Sequence, residues 1–381
     1  MKRVGIITLP FNNNYGGYLQ AYALYTILKQ LGYEPELINR RPTNCSTIRL
    51  FFRLCKAILL AIRHADVAII KKVYNPDTIF KHKGKNMYPF VEKHIKNITK
   101  PIYTSRKLYK TSKQRYYAVI VGSDQVWRPD YVPQIEDFFL GFIKDPQTIK
   151  IAYAASFGIS SPIYTKRQKI NCGRLIKQFK AISVREDSGI IFIAKQQWDC
   201  PSPHTVLDPT MLLSKEHYLN LCKSQLSSHH CYTLCYILDT SDNVQIYTKN
   251  ICHFTNTQPY HIINESIWKQ ESYILPGIEE WISSIYNADF VFTDSFHGMV
   301  FSIILNKPFA IYINKERGSD RFTSLLEKLN LKDRIIDSPS SIERICSTRI
   351  NWEQINLKIN QLKYDSIAFL KDSLTPSSSR K

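Results

Sequence analysis

The sequence predicts an α/β protein built as two successive units of parallel strands and covering helices that face each other across a cleft. Three observations predict it. Short apolar strands alternate with stretches of helical spacing along most of the 381 residues, as they do in parallel sheets joined by helical crossovers. The length exceeds what one hydrophobic core commonly supports. Polar residues also gather where strands end, above all in residues 290–305, where an apolar strand breaks at Thr293-Asp294-Ser295 and restarts as an apolar helix with His297 at the corner. Open α/β sheets bind ligands beyond the carboxyl ends of their strands, where a helix start presents free N–H groups. Asp294 or Ser295 is a natural N-cap, and Gly298 permits close approach of a backbone or a ligand.

Val4 to Leu9 reads as the first strand, followed by an Asn/Gly turn. Tyr18 to Leu31 then has helical spacing and stops at Gly32, and Pro35 to Asn39 completes a βαβ opening. The turn lacks GxGxxG. Its Asn14, Gly16 and Gly17 either bring backbone close to a ligand or simply make a tight turn. Residues 45–114 read as a basic, partly helical insertion. Within it, 49–74 mixes bulky apolar residues with Arg and Lys, the pattern either of a helix lying in a membrane interface or of one packed on its own domain. Tyr116 to Val121 is a strand running into Gly122-Ser123-Asp124-Gln125-Val126-Trp127. There Asp124 can hold a hydroxyl or act as a base, or merely cap a helix, and Trp127 can stack on a sugar ring. Strands at Ile149 to Ser156 and Lys180 to Val184 follow, the second ending in Arg185, whose planar fork suits carboxylate or phosphate. The bland alternative for Arg185 is an ion pair with Glu186 or Asp187.

Composition turns to linker at Pro201-Ser-Pro203, so the first unit is set at 1–204 and the second at 205–350. The second unit repeats the alternation, with strands at Cys231 to Leu238, Pro259 to Ile263, Phe290 to Thr293 and Pro308 to Ile313. Helices are expected from Asp242, near Ile278 to Tyr286, from His297, and after Arg317 and Arg321. A last helix in 351–381 is placed to cross back to the first unit, ending in a loose tail.

The formal charge of +19 attracts anionic ligands or surfaces. No zinc-finger, RNA-recognition or basic-zipper signature accompanies it, so nucleic acid is not the expected partner. Nine scattered cysteines without a CxxC pair point to reduced thiols and a cytoplasmic protein. His229, His230, Cys231 and Cys235 read as a strand and its approach rather than a zinc site, and no metal is expected. No stretch approaches the length of a membrane span.

Asn14-Tyr-Gly-Gly-Tyr-Leu-Gln20, Gly122-Ser-Asp-Gln-Val-Trp127, Ser183-Val-Arg-Glu186, Asp208-Pro209 and Thr293-Asp-Ser-Phe-His-Gly298 occur in this order, and together they resemble the polysaccharide pyruvyl transferase family over roughly residues 3 to 335. The resemblance implies a two-Rossmann-domain fold like that of GT-B glycosyltransferases. It implies that phosphoenolpyruvate donates pyruvate as a ketal to a sugar of a surface polysaccharide precursor, often polyprenyl-linked, with release of phosphate and no cofactor. His297 and Arg185 match positions the family ties to catalysis and donor binding; the chemistry of the groups, apart from the resemblance, adds Asp124 on the acceptor side. Asn14, Gly16, Gly17, Gln20, Ser123, Trp127, Ser295, Phe296, Gly298 and Arg321 complete the expected binding set. Many members carry Arg-Leu where this chain has Ser295-Phe296, so Arg321 or Arg317 is the candidate replacement charge. A nucleotide-sugar glycosyltransferase and a non-catalytic assembly protein of the same fold are the competing readings. Peripheral contact with the inner face of the membrane is assigned to 49–74.

Overall fold

The computed structural model describes residues 1–42, 82–113, 116–159, 161–226, 231–239, 241–263, 273–313 and 318–376. The first unit comprises β1 (Arg3–Ile7), α1 (Tyr15–Gln30), β2 (Glu34–Leu37), α2 (Tyr88–His94), α3 (Ser105–Ser112), β3 (Ala118–Val121), α4 (Ile135–Phe138), β4 (Ile149–Ala155), α5 (Lys166–Ile176), β5 (Ala181–Val184), α6 (Asp187–Lys195) and β6 (His204–Thr205). The second comprises α7 (Lys215–Leu221), β7 (Tyr232–Tyr236), α8 (Asp242–Thr255), β8 (Gln258–Ile263), α9 (Ile278–Asn287), β9 (Phe290–Thr293), α10 (Phe296–Ile304), β10 (Phe309–Ile311), α11 (Asp320–Leu329) and α12 (Ser341–Ser347). The long helix α13 (Trp352–Leu374) ends the described chain.

Six strands form the first sheet in the order β2-β1-β3-β4-β5-β6, and four form the second in the order β10-β9-β7-β8. Every named pair is parallel. Their strands are accordingly apolar on both faces: β3 (AVIV) and β9 (FVFT) are buried throughout. Each sheet has a point where strand order reverses, between β1 and β3 and between β7 and β9, and there the diverging loops leave room at the carboxyl edge. The motifs that begin at Asn14, Gly122 and Thr293 lie at these two points, while those holding Arg185 and Asp208 follow β5 and β6 towards the other end of the first sheet.

Helix α1 explains how the units join. Asn14 caps it by accepting from Gly16 N at 3.1 Å, and the chain leaves it through Gly32 at φ 84, a conformation suited to glycine. Twelve of its 16 residues are buried, because it packs against both units. One apolar cluster runs from Val4 and Leu24 through Tyr15 to Leu234, Trp281 and Phe301. Tyr15 stacks on Trp281 at 5.0 Å and donates to Pro276 O at 3.0 Å. The two units therefore share one core.

Helix α13 crosses back to the first unit. Leu370 and Leu374 are wholly buried, Ser366 Oγ accepts from Leu207 N at 3.0 Å, and Phe369 lies 6.4 Å from the Tyr153 ring. Two expectations need correction. Thr205 pairs with Val184 as the edge of the first sheet, so the expected boundary at 204/205 falls inside β6. Part of the expected basic insertion at 45–114 is core, since Met87, Phe90 and Val91 of the α2 region are buried in the shared cluster. Residues 49–74, His229, His230 and Arg317 lie outside the described residues.

Candidate functional site

The loop after β9 turns sharply because its polar side chains satisfy the backbone that the turn frees. Asp294 accepts from Leu238 N at 2.7 Å and Asp239 N at 2.9 Å, tying it to the loop after β7. Thr293 Oγ1 accepts from Ser295 N at 3.0 Å, and Ser295 Oγ caps α10 by accepting from Gly298 N at 3.3 Å. The cap leaves His297 in the first turn of α10, pointing at the start of α1. A Cβ built on Gly16 would lie 1.9 Å from His297 Nδ1, so only glycine lets the imidazole sit there. Two helix N-termini thus meet at one histidine.

Across from it, β5 delivers Arg185 and the loop after β6 delivers Asp208. Arg185 Nη1 donates to Asp208 Oδ2 at 3.0 Å, its Nη2 lies 3.4 Å from Asp124 Oδ1, and its Nε lies 3.7 Å from Glu186 Oε2. Burial works against the guanidinium charge, but Asp124, Asp208 and Glu186 outweigh it and push the Arg185 pKa up. Asp208 also accepts from Ser123 Oγ at 3.1 Å and from Thr210 N at 3.0 Å, and its Oδ2 stands 3.6 Å from His297 Nε2. That last distance is too long for a hydrogen bond. Burial would raise the Asp208 carboxyl, yet His297 and Arg185 hold it well below the usual carboxylate range. Glu186 behaves oppositely: burial pushes its carboxyl up despite Arg185 and a 2.7 Å bond from Ser156 Oγ.

Arg321, in the first turn of α11, completes the group. The Phe296 ring lies between two cations, 4.4 Å from the Arg185 guanidinium and 6.0 Å from that of Arg321. Burial and the charge of Arg185 push the Arg321 pKa down to about 10, which leaves it a cation at neutral pH. Among the described residues, Arg185 Nε, Arg321 Nε, His297 Nε2, Asp124 Oδ2 and Glu186 Oε2 are all buried with no hydrogen-bond partner. Orphaned buried polar atoms are costly one at a time, and five in one cluster of donors and acceptors mark a place where a polar ligand belongs.

The expected residues divide into two groups. His297, Arg185, Asp124, Phe296 and Arg321 come together, with Gly16 beneath the histidine and Asn14 and Gly17 at the α1 start. The others serve the scaffold. Trp127, expected to stack on a sugar, is wholly buried, donates to Phe138 O at 3.0 Å and stacks on Phe139 at 4.9 Å. Gln20 is also wholly buried, donating to Thr8 Oγ1 at 2.8 Å and accepting from Ser123 N at 2.9 Å. Ser123 is wholly buried and spends its hydroxyl on Ala154 O and Asp208. Gly298 is needed because a Cβ there would come within 2.4 Å of Thr293 Oγ1. Ser295 is occupied as a cap. Sequence reasoning misses Asp208 and Glu186 as members of the cluster, although Asp208-Pro209 and Ser183-Val-Arg-Glu186 carry the signal.

Two parallel sheets with a buried polar cluster where their carboxyl edges meet define a protein of the two-Rossmann-domain, GT-B-like class. Solved structures agree on the fold. The UDP-GlcNAc 2-epimerase of Methanocaldococcus jannaschii is similar at TM-score 0.52 and 12% identity, over 92% of this chain and 93% of that one. The UDP-N-acetylglucosamine 2-epimerase of Rickettsia bellii is similar at TM-score 0.50 and 10% identity, over 98% and 97%. No curated protein sequence matches the chain. Within that class the family is specific: the polysaccharide pyruvyl transferase profile matches residues 14–316, and the chain belongs to this family.

Proposed function

We propose that the protein transfers pyruvate from phosphoenolpyruvate to two hydroxyls of one sugar in a surface polysaccharide precursor, forming a ketal and releasing phosphate. The observation that carries the reading is the set of unsatisfied donors on Arg185, Arg321 and His297 beside unsatisfied acceptors on Asp124 and Glu186. The donor is an anion with a carboxylate and a phosphate. Two guanidiniums and the starts of α1 and α10 supply the groups that bind such an anion. Arg321 takes over the charge that many relatives place at the position of Ser295.

The chemistry follows from these groups. An acid protonates the methylene carbon, the central carbon becomes electrophilic, and one sugar hydroxyl attacks it while losing its proton to a base. A second hydroxyl then displaces phosphate and closes the ring. His297 exchanges these acid and base roles, its imidazole held between the Gly16 backbone and Asp208, and Asp124 receives the acceptor hydroxyl. Glu186, whose carboxyl burial pushes up, lies in the same cluster beside Arg185. A polyprenyl-carried acceptor would bring the protein to the inner face of a membrane, with 49–74 as one contact.

The test is to incubate the protein with phosphoenolpyruvate and a panel of aryl and lipid-linked glycosides, following phosphate release and a product heavier by one pyruvyl ketal. His297→Gln should abolish turnover with a nearly unchanged melting temperature. Normal turnover in that variant removes His297 from the mechanism, and saturable binding of a nucleotide diphosphate with no phosphate release would favour glycosyl transfer instead.

A further inference from the structure

The outer face of the first sheet carries two neighbouring helices of unusual composition. Helix α3 presents Arg106, Lys107 and Lys110, and α5 presents Lys166, Arg167, Lys169 and Arg174, and neither helix contains an acidic residue. Among the described residues none of these seven forms an ion pair. The two helices share one face. Asn171 of α5 donates to Glu136 at 3.0 Å and Ser105 of α3 donates to Asp137 at 2.9 Å, so α4 lies between them, and Tyr109 and Leu175 wall one groove. The nearby carboxylates are engaged: Asp137 holds Arg40 at 2.8 Å, Glu136 holds Asn171 and Gln134, and Asp199 holds Lys177. Asp145 accepts from Gln147 N at 2.9 Å.

Bulky apolar side chains stand among these cations. Ile163, just before α5, is 79% exposed, and Ile170, seven residues on, is 56% exposed. Ile170 shares one helical face with Lys166, Arg167 and Arg174, and Ile163 stands exposed in the extended segment that leads into α5. On the α3 side Tyr103 is 40% exposed and Tyr109 39%. We propose that this α3–α5 face docks on an anionic lipid bilayer, the cations meeting headgroup phosphates while Ile163, Ile170 and the two tyrosines enter the interface. Basic charge alone would serve nucleic acid equally well. Exposed isoleucines decide between them, since a branched aliphatic side chain gains nothing from a base stack but is removed from water in a bilayer. The residues of this face lie outside 49–74 in the sequence, and the proposal does not depend on the proposed reaction.

The experiment is co-sedimentation of the full chain, without substrate, with vesicles of phosphatidylcholine alone or with about a third phosphatidylglycerol. Each Lys or Arg near an anionic surface contributes roughly a 5-fold factor to partitioning. Arg106→Glu/Lys110→Glu/Arg167→Glu/Lys169→Glu should therefore lower partitioning into anionic vesicles by at least about 100-fold. Ile163→Ser/Ile170→Ser should lower it by about 10-fold without weakening retention on a single-stranded RNA oligonucleotide. Melting temperatures should stay at the wild-type value, because all six side chains are exposed. Unchanged partitioning in the charge-reversed protein overturns the proposal. RNA retention that is lost on charge reversal, with no vesicle binding in the wild type, overturns it in favour of nucleic acid.

Discussion

Gly16→Ala is the sharpest perturbation of the site. The added Cβ would stand 1.9 Å from His297 Nδ1, 2.3 Å from Cγ and 2.4 Å from Cε1. Ordinary contact needs 3.4 Å or more, so the ring and the start of α1 must separate by about 1.5 Å. Overpacking of this kind costs about 1–3 kcal/mol, and better helix propensity returns no more than about 1 kcal/mol. The melting temperature should fall by a few degrees, at about 2–4 °C per kcal/mol. Misplacing a catalytic group by about 1 Å can cost about 100-fold in rate, so phosphate release from phosphoenolpyruvate should drop by at least that factor. Gly17→Ala is the matched control for stability: its Cβ would meet only the Asn14 side chain, Nδ2 at 3.8 Å and Cγ at 4.0 Å, and the protein should gain about 0.5–1 kcal/mol. In Gly16→Ala/His297→Ala the clash is gone, so thermal stability should recover while turnover does not. A Gly16→Ala protein with wild-type melting temperature and turnover within about 3-fold would refute the packing of His297 on α1.

Other perturbations separate the cluster from its scaffold. Asp208→Asn leaves Arg185 with its two longer carboxylate contacts; breaking a buried pair costs about 3–5 kcal/mol, a fall of roughly 6–20 °C in melting temperature by calorimetry. Because the Asp208 carboxyl is held below its unfolded value of about 3.9, its stabilisation is present above that pH and lost as pH falls further. Melting temperature plotted against pH should therefore be flatter below about pH 4 in Asp208→Asn than in the wild type. Arg321→Gln removes a charge that burial and Arg185 disfavour, so stability should hold or rise while the Kd for phosphoenolpyruvate, read by titration calorimetry, rises by roughly 10-fold or more. Trp127→Ala should cost about 3–5 kcal/mol of stability with the KM for acceptor unchanged in the folded fraction, since the indole faces the core.

Much of this fold was legible because parallel strands and their crossovers leave two different periodicities in the chain. Strands such as β3 and β9 are apolar on both faces, and α10 begins three residues after a clear strand end. The meeting of Arg185, Asp124 and His297 was legible for the same reason: each follows a strand that must end at the carboxyl edge. Side-chain direction was not legible. Ser123 and Asp124 are adjacent at one strand end, yet one turns into the scaffold and the other toward Arg185. Trp127 and Gln20 look as suitable for a ligand as any aromatic or amide near a strand end, and only packing shows that they face inward. Asp208 escaped because it reaches Arg185 from a different loop, a juxtaposition that spacing does not encode.

The return of α13 bears on how the protein is made. Tyr153 of β4 and Leu207 after β6 are covered by Phe369 and Ser366, and Tyr117 donates to Leu374 O. Chains emerge from the ribosome amino end first, and domains usually fold in that order. Here the first unit remains uncapped until α13 has been synthesised. Asp208, one residue from Leu207, stands beside Arg185 in a core that α13 completes, so a product truncated before α13 would lack the cover of the first sheet next to the site.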